Sequence, residues 1–186
     1  MKENRKVRYT KRVIRESLQE LLEEKPLSAI TVKELVEQAD INRSTFYAHY
    51  ETLPALIEEI EREAAGQVIE KMAIETYSEA DFKQRVISDF VDLLTEHREL
   101  SFWLWDEQIS GAGEQYLHDY AEELFVPRWI ENREISETAA QYYFEFIYDG
   151  CFGMMKRWFQ EPDSASPEEF KQIFHTVTEH MLALVH

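Results

Sequence analysis

Arg43, Ser44, Thr45 and Tyr47 stand within five consecutive positions and offer a guanidinium fork, two hydroxyls and a phenol. His49 follows closely, and Thr31 and Lys33 lie a short way upstream. Arginine can donate two parallel bonds to the acceptor pair on a guanine edge, while hydroxyls, phenols and ammonium groups suit phosphate oxygens. The chemistry on offer is hydrogen-bonded recognition, and it needs a scaffold that projects these groups together. Val32, Leu35, Val36 and Ala39 recur at helical spacing before Asp40-Ile41-Asn42 interrupts the stripe. Asn42 suits the N-cap of a second short helix, its side-chain oxygen accepting from the backbone N–H of Ser44 or Thr45. The reading is helix, turn, helix, with Arg43, Ser44, Thr45 and Tyr47 on the first turns of the second helix. In a DNA-binding helix-turn-helix those turns face base edges in the major groove.

Ile30-Thr31-Val32, Leu35, Ala39, Ile41-Asn42, Ser44-Thr45-Phe46-Tyr47, His49-Tyr50 and Leu56 resemble the N-terminal domain of the tetracycline-repressor (TetR) family of bacterial regulators. The resemblance covers roughly residues 8 to 57. The turn position usually taken by glycine is Asp40, a residue that reaches the left-handed region more readily than most. The lysine usual in that family at the start of the fourth helix is Leu53, which removes one phosphate contact. Arg43 and Lys33 are assigned to base edges, with Ser44 or Thr45 nearby. Tyr47, His49, Thr31 and Lys11 are assigned to phosphates, which fix register. A twofold dimer then predicts double-stranded DNA with a pseudo-palindromic operator as the partner.

The charge distribution supports that partner despite a net charge of -17. Residues 1 to 15 carry seven Lys or Arg against one Glu, whereas from Glu51 onward 10 basic side chains face 29 acidic ones. One end attracts phosphate and the remainder repels it, so binding should be oriented and salt-dependent. With 44% hydrophobic and 31% charged residues the chain is apolar enough for a packed core. Its longest apolar run, Met181 to Val185, is far too short for a membrane helix. No apolar stretch follows the charged N-terminus, as a secretory signal would require. A single cysteine, Cys151, agrees with a reducing compartment, and the expected location is cytoplasmic.

The remaining periodicity predicts an all-α fold of about nine helices. A first helix covers Tyr9 to Glu24, with Ile14, Leu18, Leu21 and Leu22 as its apolar face. A longer one runs from Leu53 to about Ala73. Ser78-Glu79-Ala80-Asp81 reads as a capping box opening a helix to about His97, and another begins near Glu99. Ser110-Gly111-Ala112-Gly113 breaks the chain before a stretch from Glu114 to Arg133, bent near Pro127. Helices over Ser136 to Gln160 and Ser166 to Val185 complete the set, the last opened by Ser166-Pro167-Glu168-Glu169. Two domains are expected: residues 1–52, binding DNA, and residues 53–186, binding ligand and dimerising.

The second domain is dense in rings. Phe90, Trp103, Trp105, Tyr116, Tyr120, Trp129, Tyr143 and Phe146 are the candidate walls of a small-molecule effector pocket, a role the TetR resemblance also implies. Asp106, Glu107, Asp119 and Asp149 near them favour a cationic or hydrogen-bonding ligand over an anionic one. Gly150 and Gly153 sit within one turn, where another helix backbone could approach, and with Met154, Trp158, Phe174 and Met181 they are the candidate dimer interface. The resemblance implies homodimers through the last two long helices. Phe146, Gly150, Gly153, Trp158 and Ser166 to Phe170 further resemble a branch of Gram-positive regulators.

Catalysis finds no constellation. There is no Glu-x-x-His pair, P-loop, GxGxxG or GxSxG, and the histidines form no ligand set with Cys151, so no cofactor, metal or catalytic residue is expected. Cys151 reads as a packed thiol. The function expected is a sequence-specific transcriptional regulator, a repressor released by a small molecule. An activator or co-activator acting through a protein partner stays open, as does a helical interaction module with weakened DNA binding.

Overall fold

The computed structural model describes residues 5–73, 79–105, 109–133, 135–161 and 163–183. Among them are nine α-helices, a single 3-10 turn and no strand: α1 (Arg5–Glu24), α2 (Val32–Gln38), α3 (Arg43–Tyr47), α4 (Leu53–Met72), α5 (Glu79–Glu96), α6 (Arg98–Trp105), α7 (Ala112–Arg133), α8 (Glu137–Gln160) and α9 (Pro167–Ala183). The chain divides into two compact units, Met1–Glu59 and Ile60–His186, and α4 runs through the division.

In the first unit α1 starts at Arg5, a turn earlier than the apolar pattern predicts. Arg and Lys are good helix formers, and Arg12 pairs with Glu16 one turn on at 3.0 Å. Thr31 caps α2 through a complete capping box. Its hydroxyl accepts from Glu34 N while Thr31 N donates to the Glu34 carboxylate at 3.0 Å. Lys25 joins the same carboxylate, and these bonds, that from Lys25 foremost, hold its pKa down to about 2. Asp40 ends α2 in the left-handed region, with φ of 50°. Asp40 N bonds Glu37 O at 3.3 Å and Ile41 N bonds Val36 O at 3.0 Å, closing the helix with the bond pair of a Schellman turn. The turn therefore survives without glycine, as expected.

Glu59 ties the unit together. Its carboxylate accepts from Lys11 at 2.9 Å, Arg15 at 2.6 Å and Tyr50 at 2.7 Å, joining α4 to α1 and to the segment after α3. Partial burial opposes ionisation, but Lys11, Tyr50 and Arg15 outweigh it and hold the carboxyl below its usual 4.5. A depressed folded-state pKa stabilises above the unfolded value and is lost as pH falls through the folded one. Protection of the α1 amides, taken relative to intrinsic exchange at each pH, should therefore fall progressively below about pH 4.5. Glu59→Gln should raise exchange at neutral pH and flatten that acid dependence; an unchanged acid profile would refute the role.

The second unit buries Ala65, Val68, Val91, Leu94, Leu104, Trp105, Phe152, Trp158 and Phe174 in one cluster. Within it α5 packs on α9, and α7 on α8. A smaller cluster of Val126, Trp129, Ala140 and Phe144 lies between α7 and α8. Local caps place the helix starts: Ser136 Oγ accepts from Ala139 N, and Ser166 Oγ from Glu169 N, each at 3.2 Å. α7 runs on through Pro127. Ser78 of the expected capping box lies outside the described residues.

Candidate nucleic-acid interface and effector cavity

Phe46 decides which way α3 faces. It is fully buried, with its ring 5.8 Å from that of Tyr50, so its neighbours along the helix must turn outward. Arg43 and Ser44 are exposed, Tyr47 is 54% exposed, and Thr45 and His49 are half-buried. Lys6, Val7 and Thr10 of α1 border the same cleft as Ser44, Thr45, Ala48 and His49. The basic first helix thus continues the surface that α3 presents. Lys6 and Thr10 were not among the sequence candidates, because only folding sets α1 beside α3. Lys33 on α2 is exposed, and its pairing with Glu37 at 3.9 Å is long and solvated.

One expectation for this surface needs correction, and two of its candidates have partners within the chain. Asn42 occupies the N-cap position with φ of -79° and ψ of 150°, but its side chain makes no capping bond. Its carbonyl instead takes Thr45 N at 2.9 Å and Phe46 N at 3.2 Å. Lys11, assigned to phosphate, is only 24% exposed and is committed to Glu59, with its ammonium 5.4 Å over the Tyr50 ring. It acts as an internal cation of the fold. The Thr31 hydroxyl is likewise spent on Glu34, as acceptor from its N–H and donor to its carboxylate at 2.7 Å.

The second unit holds a cavity of about 180 Å³ between α4, α5, α7, α8 and α9. Phe90, Tyr120 and Trp129 line it as expected. Trp105 does not: it is buried in the core, stacked on Phe159 at 4.9 Å. Trp103 packs on that core from another side, Tyr143 packs on the smaller cluster, and Tyr116 and Phe146 are exposed. The lining of α8 is Phe144, Ile147, Tyr148, Cys151, Phe152 and Met155, spaced three and four apart on one face. Phe146 lies two residues off that face and so points away. Periodicity carried the signal; which apolar face met a void was not in it.

No described residue of the lining is charged. Asp119 and Asp149 are exposed, and Asp106 and Glu107 lie outside the described residues. The walls themselves thus offer a cation no counter-charge, and Asp119 and Asp149 act only from outside them. Burial raises the Tyr148 phenol above its usual range, with Glu114, Asp149 and Asp119 adding to the effect, and pushes the Cys151 thiol up to about 12. Both stay neutral at ordinary pH.

The candidate interface on α8 and α9 also splits. Trp158 and Phe174 are core residues, Trp158 stacking on Phe170 at 4.6 Å and donating its indole N–H to Ala165 O at 2.9 Å. Met154 packs partly against the same core. Gly150 serves an approach within the chain, since a Cβ there would stand 2.9 Å from Met181 Cε. Gly153 is exposed, with nothing within 4 Å of a Cβ. It shares one face of α8 with Tyr142 and Phe146, which are 74% and 61% exposed. No described helix is long and apolar enough to cross a membrane.

Comparison with known proteins agrees with the helix-turn-helix and the all-α class. Residues 14–60 match the family described as bacterial regulatory proteins, tetR family, and residues 81–180 match that described as transcriptional regulator C-terminal region, a TetR C-terminal family. A Bacillus subtilis (strain 168) protein described as the uncharacterized HTH-type transcriptional regulator YxbF is 23% identical over 166 residues. The match takes in 86% of this chain and 42% of that relative's length.

Proposed function

Because the chain belongs to the tetR family of bacterial regulatory proteins, DNA-binding regulators of transcription, we propose that it is a cytoplasmic homodimeric repressor released by a small-molecule effector. The observation that carries the DNA-binding part is the face of α3, where buried Phe46 turns Arg43, Ser44 and Tyr47 outward beside the basic start of α1. Arg43 and Lys33 read base edges, with Ser44 or Thr45 nearby; Tyr47 and His49 hold the backbone. Asn42, with its side chain free of any capping bond, is available to the same surface. The cavity supports the effector, and the exposed face of Tyr142, Phe146 and Gly153 supports a second copy against α8. An effector that prefers one cavity shape shifts the population of DNA-competent dimers.

Selection of bound duplexes from a random DNA pool, at two salt concentrations, tests this reading. Enrichment of a pseudo-palindrome is the expected result, with affinity falling steeply as salt rises. Uniform, salt-sensitive binding without an enriched sequence would favour the interaction module with weakened DNA binding, a reading that Leu53 at the start of α4 keeps in play.

A further inference from the structure

We infer that the cavity of the second unit takes an uncharged, mainly apolar molecule of one or two fused rings, and that it discriminates against an anionic analogue more strongly than against a cationic one. This rests on reading the cavity as the effector site.

Size sets the first limit. The cavity measures about 180 Å³, and a dry apolar cavity of roughly 150 Å³ is enough to bind benzene. Shape sets the second. Phe90, Phe125, Trp129, Phe144, Tyr148 and Phe152 contribute rings to the walls, and Tyr148 and Phe152 stack at 5.2 Å with 15° between their planes. Flat faces of this kind accept a flat ligand, because offset and edge contacts between rings add to the burial of apolar area.

Charge sets the third, and it is the most restrictive. A carboxylate or ammonium entering the cavity leaves its water and meets no described lining side chain of opposite sign. Two of the polar groups there are engaged with the protein. Tyr148 donates to Glu114 O at 3.4 Å, and Thr178 donates to Phe174 O at 2.8 Å. The protons of these two are used, and what each leaves to a ligand is a hydroxyl lone pair, which accepts from an O–H or N–H and repels a carboxylate. At the Tyr148 end of the cavity the charges beyond the walls are mostly acidic. Glu114, Asp119 and Asp149 all act on the Tyr148 phenol, and His118, packed on the Tyr148 ring at 4.8 Å, lies beside Asp119 and Glu145. Lys156 reaches Glu114 at 3.9 Å. An anion thus loses hydration and gains repulsion, whereas a cation loses hydration and gains some attraction.

The test is a matched set on one scaffold: 1-naphthylmethanol, 1-naphthylmethylammonium and 1-naphthoate, titrated calorimetrically into the full-length protein. The alcohol should bind, the ammonium more weakly, and the carboxylate by roughly 100-fold or more below the alcohol. Two cavity-filling variants from different helices, Ala121→Leu on α7 and Cys151→Leu on α8, should each weaken the alcohol at least tenfold while retaining native helical circular dichroism. Two variants are used so that one misfolded protein does not decide the matter. Carboxylate binding equal to that of the alcohol, no binding by any of the three, or unaltered binding in both filled variants would overturn the inference. Binding in the expected order with no change in affinity for the selected duplex would leave the inference standing and overturn the effector reading instead.

Discussion

Glu61→Ala is expected to destabilise the Ile60–His186 unit by about 3–5 kcal/mol in urea unfolding. Glu61 is fully buried on α4. Its carboxylate accepts from Ser110 N at 2.7 Å, Ser110 Oγ at 2.8 Å, Ala112 N at 2.7 Å and Gly113 N at 3.4 Å. These are the donors that open α7, where the helix dipole also favours negative charge. Alanine would leave the Gly113 N–H buried without an acceptor and take the shorter of two acceptors from the half-buried Ala112 N–H, each loss carrying a cost. Glu61→Gln should recover part of the loss, since it keeps one acceptor but turns an NH2 donor toward donors. The same junction needs Gly113: a Cβ there would stand 2.8 Å from Glu61 O, a backbone atom that cannot move aside cheaply. A Glu61→Ala protein within 1 kcal/mol of the native chain would show that water replaces the carboxylate, and the role assigned to Glu61 would fall.

Arg43→Ala should lower affinity for the selected duplex by about 1–3 kcal/mol and relax the preference at one base pair in each half-site. Arg43 is the first residue of α3, exposed, on a helix whose orientation Phe46 sets by burial. A bidentate contact to guanine is lost entirely when the guanidinium is removed, whereas a phosphate contact weakens all sequences alike. Measuring the selected and a scrambled duplex side by side separates the two. Equal loss on both would place Arg43 on the backbone and transfer base reading to Lys33 or Ser44. Lys11→Ala offers a contrast, since Lys11 is bound to Glu59 and its removal should act on stability rather than on sequence preference.

An acidic total and a basic N-terminus are compatible because charge is segregated along the chain. Two of the seven basic residues before Ser17 serve the fold itself. Lys11 and Arg15 neutralise Glu59 and so hold α1 to α4 within the first unit. That division of labour was invisible in the composition, since a lysine spent on an internal carboxylate and one left for phosphate look the same in sequence.

What the sequence by itself determined about this protein is local. Thr31 with Glu34, Ser136 and Ser166-Pro167 set helix starts through bonds spanning three residues, and Asp40 ends α2 through its own left-handed backbone. Such bonds depend on neighbours in the chain, so they were legible there, as were the helix-turn-helix and the all-α class. Only the tertiary structure decided which side chains meet across the chain. Glu61 finds its partners about 50 residues away, Lys11 is drawn to Glu59, and Trp158 and Phe174 sink into a core. The same holds for the cavity, where Phe144, Tyr148 and Phe152 form walls while Phe146 faces out. Helical periodicity specifies that a face is apolar, but not what covers it; that is settled by the packing of several helices at once.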